Sequence, residues 1–161
     1  MNSVPTKRAD LMLVCSTGGH LLQLVALRDS WQAFSRVWVT FDKSDARSLL
    51  GEEQVFFAHG PTNRSLKNLL RNLLVAWRVV GAVRPKVVMT TGAGVAVPVA
   101  WVARLRGAKV VYVESFARID GPSLSYRLIA PFAERRYVQW PELAQRLPGA
   151  RFAGSVFSPA P

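Results

Sequence analysis

A single cysteine, Cys15, excludes a disulfide framework, so the fold must rest on its core, and a reducing compartment is expected. No acidic or His/Cys cluster has the spacing of a metal site. Acidic residues are also scarce: 10 Asp+Glu face 21 Lys+Arg, a net charge of +11. That balance favours a polyanionic partner, nucleic acid or an anionic membrane surface, although the excess of arginine over lysine makes part of it a matter of composition. No apolar run is long enough to cross a membrane without interruption. The longest uncharged stretch, 87–103, has 17 residues but contains Thr90-Thr91-Gly92-Ala93-Gly94 and Pro98, and a strand, a glycine loop and a helix account for it better than a span. The segment Met1–Asp10 is polar and no apolar signal core follows it, so secretion is not expected. Internal repeats and low-complexity segments are absent as well.

What is present is a chain of 161 residues, half of them hydrophobic, enough for one domain with a real core. Short β-branched runs at 11–15, 36–41, 54–58, 86–90, 109–113 and 135–139 alternate with helical patterns near 20–33, 44–50, 65–83, 95–106, 122–132 and 141–146. Strands apolar on both faces and alternating with helices predict an α/β fold, a Rossmann-like, doubly wound parallel sheet covered on both sides. Residues 1–10 read as a flexible N-terminal segment, 11–157 as the domain and 158–161 as a C-terminal tail, with 154–161 resembling a linker.

Ligands bind such sheets outside the carboxyl ends of the strands, and three loops fall there. Ser16-Thr17-Gly18-Gly19-His20 follows the first strand; its glycines admit a close ligand, and the next helix points N–H groups at the same place. It is neither G-x-G-x-x-G nor a P-loop, and a plain β–α turn or a helix-start histidine explains it almost as well. Thr91-Gly92-Ala93-Gly94 repeats the arrangement after the fourth strand, so both loops can line one anionic site. Glu114-Ser115-Phe116-Ala117-Arg118 follows the fifth strand; it reads as a working loop with a partly desolvated carboxylate, against the plainer reading of a surface salt bridge.

The helix at 65–83 is unusual. Arg64, Lys67, Arg71 and Arg78 share one stripe, while Leu66, Leu69, Leu70, Leu73, Leu74, Trp77 and Val80 cover most of the rest. A surface helix of a soluble domain needs one apolar face, and this one has more. Basic residues beside Leu and Trp suit a helix lying on an anionic membrane. A core helix with a solvated basic edge, or a helix docking another chain, are the alternatives.

The three loops in this order, with Tyr112-Val113 ahead of the third and Val138-Gln139-Trp140-Pro141-Glu142 after the sixth strand, resemble the acceptor-side, membrane-anchoring subunits of two-chain UDP-N-acetylglucosamine transferases. They are similar in particular to bacterial PssD-type proteins of exopolysaccharide biosynthesis, and so to the N-terminal half of a MurG-like GT-B enzyme. The resemblance covers about residues 11–157, and Glu114–Arg118 is its most specific part. It implies a single N-terminal-type GT-B domain that binds a lipid-diphosphate saccharide acceptor. A second Rossmann-like subunit would carry the UDP-sugar donor, with no tightly bound cofactor and no metal in this chain. It further implies an inverting transfer in which His20 or Glu114 serves as base. Ser16, Thr17, Gly18, Gly19, Thr91, Gly92, Ala93, Gly94, Ser115, Phe116 and Arg118 would hold the acceptor and its diphosphate. Related chains carry an N-terminal transmembrane anchor, a pattern from which Met1–Asp10 departs; attachment is then expected through 65–83, peripherally, on the cytoplasmic face of the plasma (inner) membrane. Three other functions compete: a non-catalytic scaffold recruiting a soluble transferase, a nucleic-acid-binding Rossmann-like protein, and a self-sufficient nucleotide-binding enzyme. Leucines interleaving the basic stripe disfavour nucleic acid. The last lacks an acidic residue about 20 positions after the first loop, Asp42 and Asp45 lying past the second strand.

Overall fold

The computed structural model describes residues 8–62 and 65–157, so residues 1–7, Arg64 of the basic stripe and the 158–161 tail lie outside the described residues. Seven parallel strands form one sheet in the order β3-β2-β1-β4-β5-β6-β7. They are β1 (Leu11–Val14), β2 (Arg36–Phe41), β3 (Val55–Ala58), β4 (Val87–Thr90), β5 (Lys109–Val113), β6 (Arg135–Val138) and β7 (Arg151–Phe152). The helices are α1 (Gly19–Ala26), α2 (Arg28–Trp31), α3 (Ser44–Leu49), α4 (Leu66–Val83), α5 (Ala96–Leu105), α6 (Leu124–Ile129) and α7 (Pro141–Arg146). The order reverses between β1 and β4, the switch point where a doubly wound sheet opens its ligand crevice.

β1 is buried at every position because helices cover both faces of the sheet there. On one face Leu21, Leu24 and Trp31 of α1 and α2 pack with Ala46 of α3 on Leu11, Leu13, Cys15 and Trp38. On the other, α4, α5 and α6 bring Ala76, Val80, Ala100 and Ile129 onto Met12, Val39, Val88 and Val110. The register levels the strand ends: Val14 pairs with Val39 and Thr90, and Thr90 with Tyr112. The loops after β1, β4 and β5 therefore leave the sheet at one height.

Four expectations change. The helix expected over 20–33 breaks at Leu27, where the backbone turns to φ −85, ψ 18. The Trp31 indole then bonds the Leu24 carbonyl at 2.8 Å and meets Trp38 edge-on at 5.4 Å, contacts that a straight helix would not allow. The helix expected over 122–132 is shorter, passing into a 3₁₀ turn at Ala130–Phe132 around Pro131. Ala9 and Asp10, at the end of the segment expected to be flexible, are packed: Ala9 is buried, and the Asp10 carbonyl accepts the Lys86 and Val87 amides. The end is not a free linker up to 157. β7 pairs with β6, the Val156 amide donates to Gln139, and Phe157 meets Phe116 edge-on at 5.4 Å.

Candidate functional site

The level strand ends bring the three loops together. Gly18 sits at φ 74, ψ −137, a conformation a side chain resists, and this turn starts α1. His20, one residue into α1, is half-buried. Its Nδ1 lies 2.7 Å from the Thr91 carbonyl oxygen, and the Thr91 hydroxyl donates to the His20 carbonyl at 2.8 Å. A carbonyl only accepts, so Nδ1 carries a proton, and in the neutral ring Nε2 is then the acceptor, the arrangement a general base needs.

The second loop is rigid from below. Gly92 has φ 96, and a Cβ there would stand 2.5 Å from the Tyr112 hydroxyl, which itself bonds Ser123 and Ser125. Ala93 adopts φ 73, uncommon for a residue with a side chain. Gly94 lies against Thr62, where a Cβ would come within 2.8 Å.

The cradle amides are partly engaged. The Gly18 N–H donates to Asp45 Oδ2 at 2.7 Å and the Gly92 N–H to Thr90 Oγ1 at 2.9 Å. Of the first-turn amides of α1, those past Gly18 face the loop without an intrahelical acceptor. The anion-facing donors are therefore fewer than the sequence implies, and a carboxylate stands beside the first loop.

Glu114 is 0% exposed, and its two oxygens accept the Ser115 and Ser123 amides at 2.9 and 2.8 Å. The carboxylate pins both ends of the 114–123 loop. No ion pair joins it to the exposed Arg118 among the described residues, which removes the surface-salt-bridge reading. Ser115 is buried, and Phe116, half-buried, packs on Trp140 at 4.9 Å, whose indole N–H donates to the Phe116 carbonyl.

Gln23, which the sequence did not single out, and Gln139 and Asp45, which it gave no role in the site, complete it. Gln23 and Gln139 are buried and bonded to each other at 2.8 Å beneath the loops, and Asp45 holds Gly18. The signal was there: Gln23 is a polar residue between Leu21 and Leu24 on the inward face of α1.

Two further surfaces flank this edge. In α4, Ser65 caps the first turn by accepting the Asn68 amide, and Asn72, Ala76, Val79, Val80 and Val83 form the buried face. Leu70, Leu74 and Trp77 remain 56%, 63% and 53% exposed, with Leu66 and Leu73 exposed beside them. Lys67, Arg71 and Arg78 are exposed on the adjoining stripe, whereas Leu69 is half-buried and Val80 belongs to the core. Trp101, Leu105, Leu124 and Leu128 on α5 and α6 extend the exposed apolar surface, and Arg106 stacks 4.3 Å over Trp77. None of the three helices carries an Asp or Glu. No helix among the described residues is long and apolar enough to cross a membrane.

On the opposite face, α1 and α2 stop short of β5 and β6. Val87, Met89, Val111, Val113 and Tyr137 there floor an apolar groove of about 740 Å³, walled by Phe34, Ala153, Gly154 and Val156.

A seven-stranded parallel sheet with glycine loops at its switch point defines a single Rossmann-like domain of the GT-B type. Acinetobacter baumannii MurG has the same fold over 97% of this chain and 47% of its own, with a TM-score of 0.72 at 18% identity. The family described as oligosaccharide biosynthesis protein Alg14 like matches residues 54–156, and the chain belongs to it. The Eremothecium gossypii UDP-N-acetylglucosamine transferase subunit ALG14 is 47% identical over 78 residues, 45% of this chain and 35% of that protein. The Salinibacter ruber UDP-N-acetylglucosamine--N-acetylmuramyl-(pentapeptide) pyrophosphoryl-undecaprenol N-acetylglucosamine transferase is 31% identical over 155 residues, 86% of this chain and 40% of that protein. The chain thus spans well under half of either relative.

Proposed function

We propose that this chain is the acceptor-binding, membrane-associating subunit of a two-subunit GT-B glycosyltransferase. It serves transfer of a sugar from a UDP-sugar to a lipid-diphosphate-linked saccharide in polysaccharide biosynthesis. The observation that carries the reading is His20, fixed by Thr91 with Nε2 left as acceptor at the mouth of a half-size GT-B fold. The acceptor hydroxyl attacks the anomeric carbon, its proton passes to His20 Nε2, and the sugar–phosphate bond breaks with its electron pair leaving on UDP. Glu114, sealed from solvent and engaged at both oxygens, serves as a positioning group and leaves the base role to His20. The remaining α1 amides, Thr91–Gly94 and Arg118 hold the acceptor's diphosphate. The donor belongs on a second Rossmann-like subunit, seated on the apolar groove beside β5 and β6, where a parallel sheet otherwise lies bare. The leucine–tryptophan and arginine stripes of α4 dock on an anionic bilayer, peripherally and on the cytoplasmic face of the plasma (inner) membrane.

The test is reconstitution with the donor-binding chain on vesicles carrying a lipid-diphosphate saccharide. His20→Ala is expected to lower turnover by about 10²–10⁴-fold with assembly intact. Unchanged turnover in a folded complex refutes the catalytic role, and a continued requirement for the chain then supports a scaffold.

A further inference from the structure

Gln23 and Gln139 are separated by 116 positions in sequence and meet beneath the acceptor loops with little of either side chain exposed. Gln23 Nε2 donates to the Gly19 carbonyl at 3.0 Å and to Ser115 Oγ at 3.4 Å. Gln23 Oε1 accepts the Phe116 amide at 2.7 Å and Gln139 Nε2 at 2.8 Å. Gln139 Nε2 also donates to the Glu114 carbonyl at 3.0 Å, and Gln139 Oε1 accepts the Val156 amide at 3.1 Å. The amide orientations are settled by their partners, because backbone N–H groups only donate and carbonyls only accept.

Every polar atom of both side chains is thus bonded, and the bonds tie together three parts of the site. Gly19 opens the helix that carries His20. Ser115 and Phe116 belong to the acceptor loop. Val156 forms a wall of the apolar groove. Apolar side chains would fill the same space with no directional demand, whereas a fully satisfied buried network specifies one geometry.

We propose that Gln23 and Gln139 are positioning residues for the transfer. They set the separation of the His20 turn from the 115–118 loop and lock both to the groove wall. This rests on the function proposed above. The pair acts through the backbone it holds and contacts no reacting atom.

The experiment compares Gln23→Leu, Gln139→Leu and Gln23→Glu in the reconstituted two-chain complex. The Leu variants are expected to lose about 10-fold or more in kcat, the scale of a small misplacement of catalytic groups. The donor KM should stay unchanged, since the donor sits on the other subunit. Gln23→Glu keeps the acceptor contact to the Phe116 amide but loses the donation to the Gly19 carbonyl and sets a carboxylate oxygen against it, so kcat is expected to fall here too while the Phe116 amide stays protected. Hydrogen exchange at the Phe116 amide of the chain should quicken in Gln23→Leu and stay slow in Gln23→Glu. Wild-type kcat in the assembled Leu variants, or Phe116 exchange in Gln23→Leu no faster than in the parent chain, overturns the proposal. Should Gln23→Leu fail to assemble, Gln139→Met leaves Gln23 bonded to Phe116 and carries the same comparison. A wild-type complex with no transfer sinks the functional reading instead, while the Phe116 exchange still reports on the pair.

Discussion

His20 and Thr91 are bonded in both directions: His20 Nδ1 donates to the Thr91 carbonyl, and the Thr91 hydroxyl donates to the His20 carbonyl. The first and second loops are therefore one unit. Thr91→Val keeps shape but deletes the returning bond from a buried site. It should cost about 1 kcal/mol of stability, seen by denaturant titration, and lower turnover of the complex without changing its assembly.

Two neighbouring positions should respond with opposite signs. Gly92→Ala forces a Cβ against the Tyr112 hydroxyl at positive φ, and a clear fall in thermal midpoint is expected. Ala93→Gly relieves a left-handed alanine worth about 1–2 kcal/mol, less glycine's own entropy cost. Its midpoint should hold or rise by about 2–4 °C. A calorimetric scan of both variants checks the pair.

Exposure refines the choice of membrane variant. Leu70, Leu74 and Trp77 are the outward residues of α4, so replacing all three by Ser leaves the core untouched. Flotation on anionic vesicles should fall at least about 10-fold, from the apolar area withdrawn from the interface. The melting curve should not move. Added salt should weaken binding of the parent chain, because Lys67, Arg71 and Arg78 supply part of it.

Cys15 titrates where the fold can feel it. Burial pushes its thiol from 9.0 up to about 12. Between those values the unfolded chain loses the proton and the folded chain keeps it. The stabilisation is thus complete below pH 9 and lost as pH rises toward 12. Burial raises the Tyr112 hydroxyl as well, and it acts in the same sense. Denaturant midpoints measured across this range should fall less steeply for Cys15→Ala than for the parent chain.

Most of the sheet was legible because a doubly wound fold repeats one signal, an apolar β-branched run bounded by turns. β7 was not, since two residues, Arg151 and Phe152, show no alternation. The break at Leu27 depends on where Trp31 finds space, which is a tertiary matter. At the site, the glycine loops and His20 could be picked out by residue type. The state of Glu114 could not: a carboxylate at a strand end looks the same whether it faces substrate or is wrapped by two amides. Asp45 escaped because its partner, the Gly18 N–H, leaves no trace in a side-chain pattern.

The bare strip of sheet over β5 and β6 has a consequence for the chain's life in the cell. Val111 and Tyr137 are only half-buried where they line the groove, so newly made copies keep an open apolar cleft. Chaperones and proteases act on such surfaces. If the proposed second subunit covers the groove, copies made in excess of it stay open to removal, and the amount of this chain should follow the supply of that subunit.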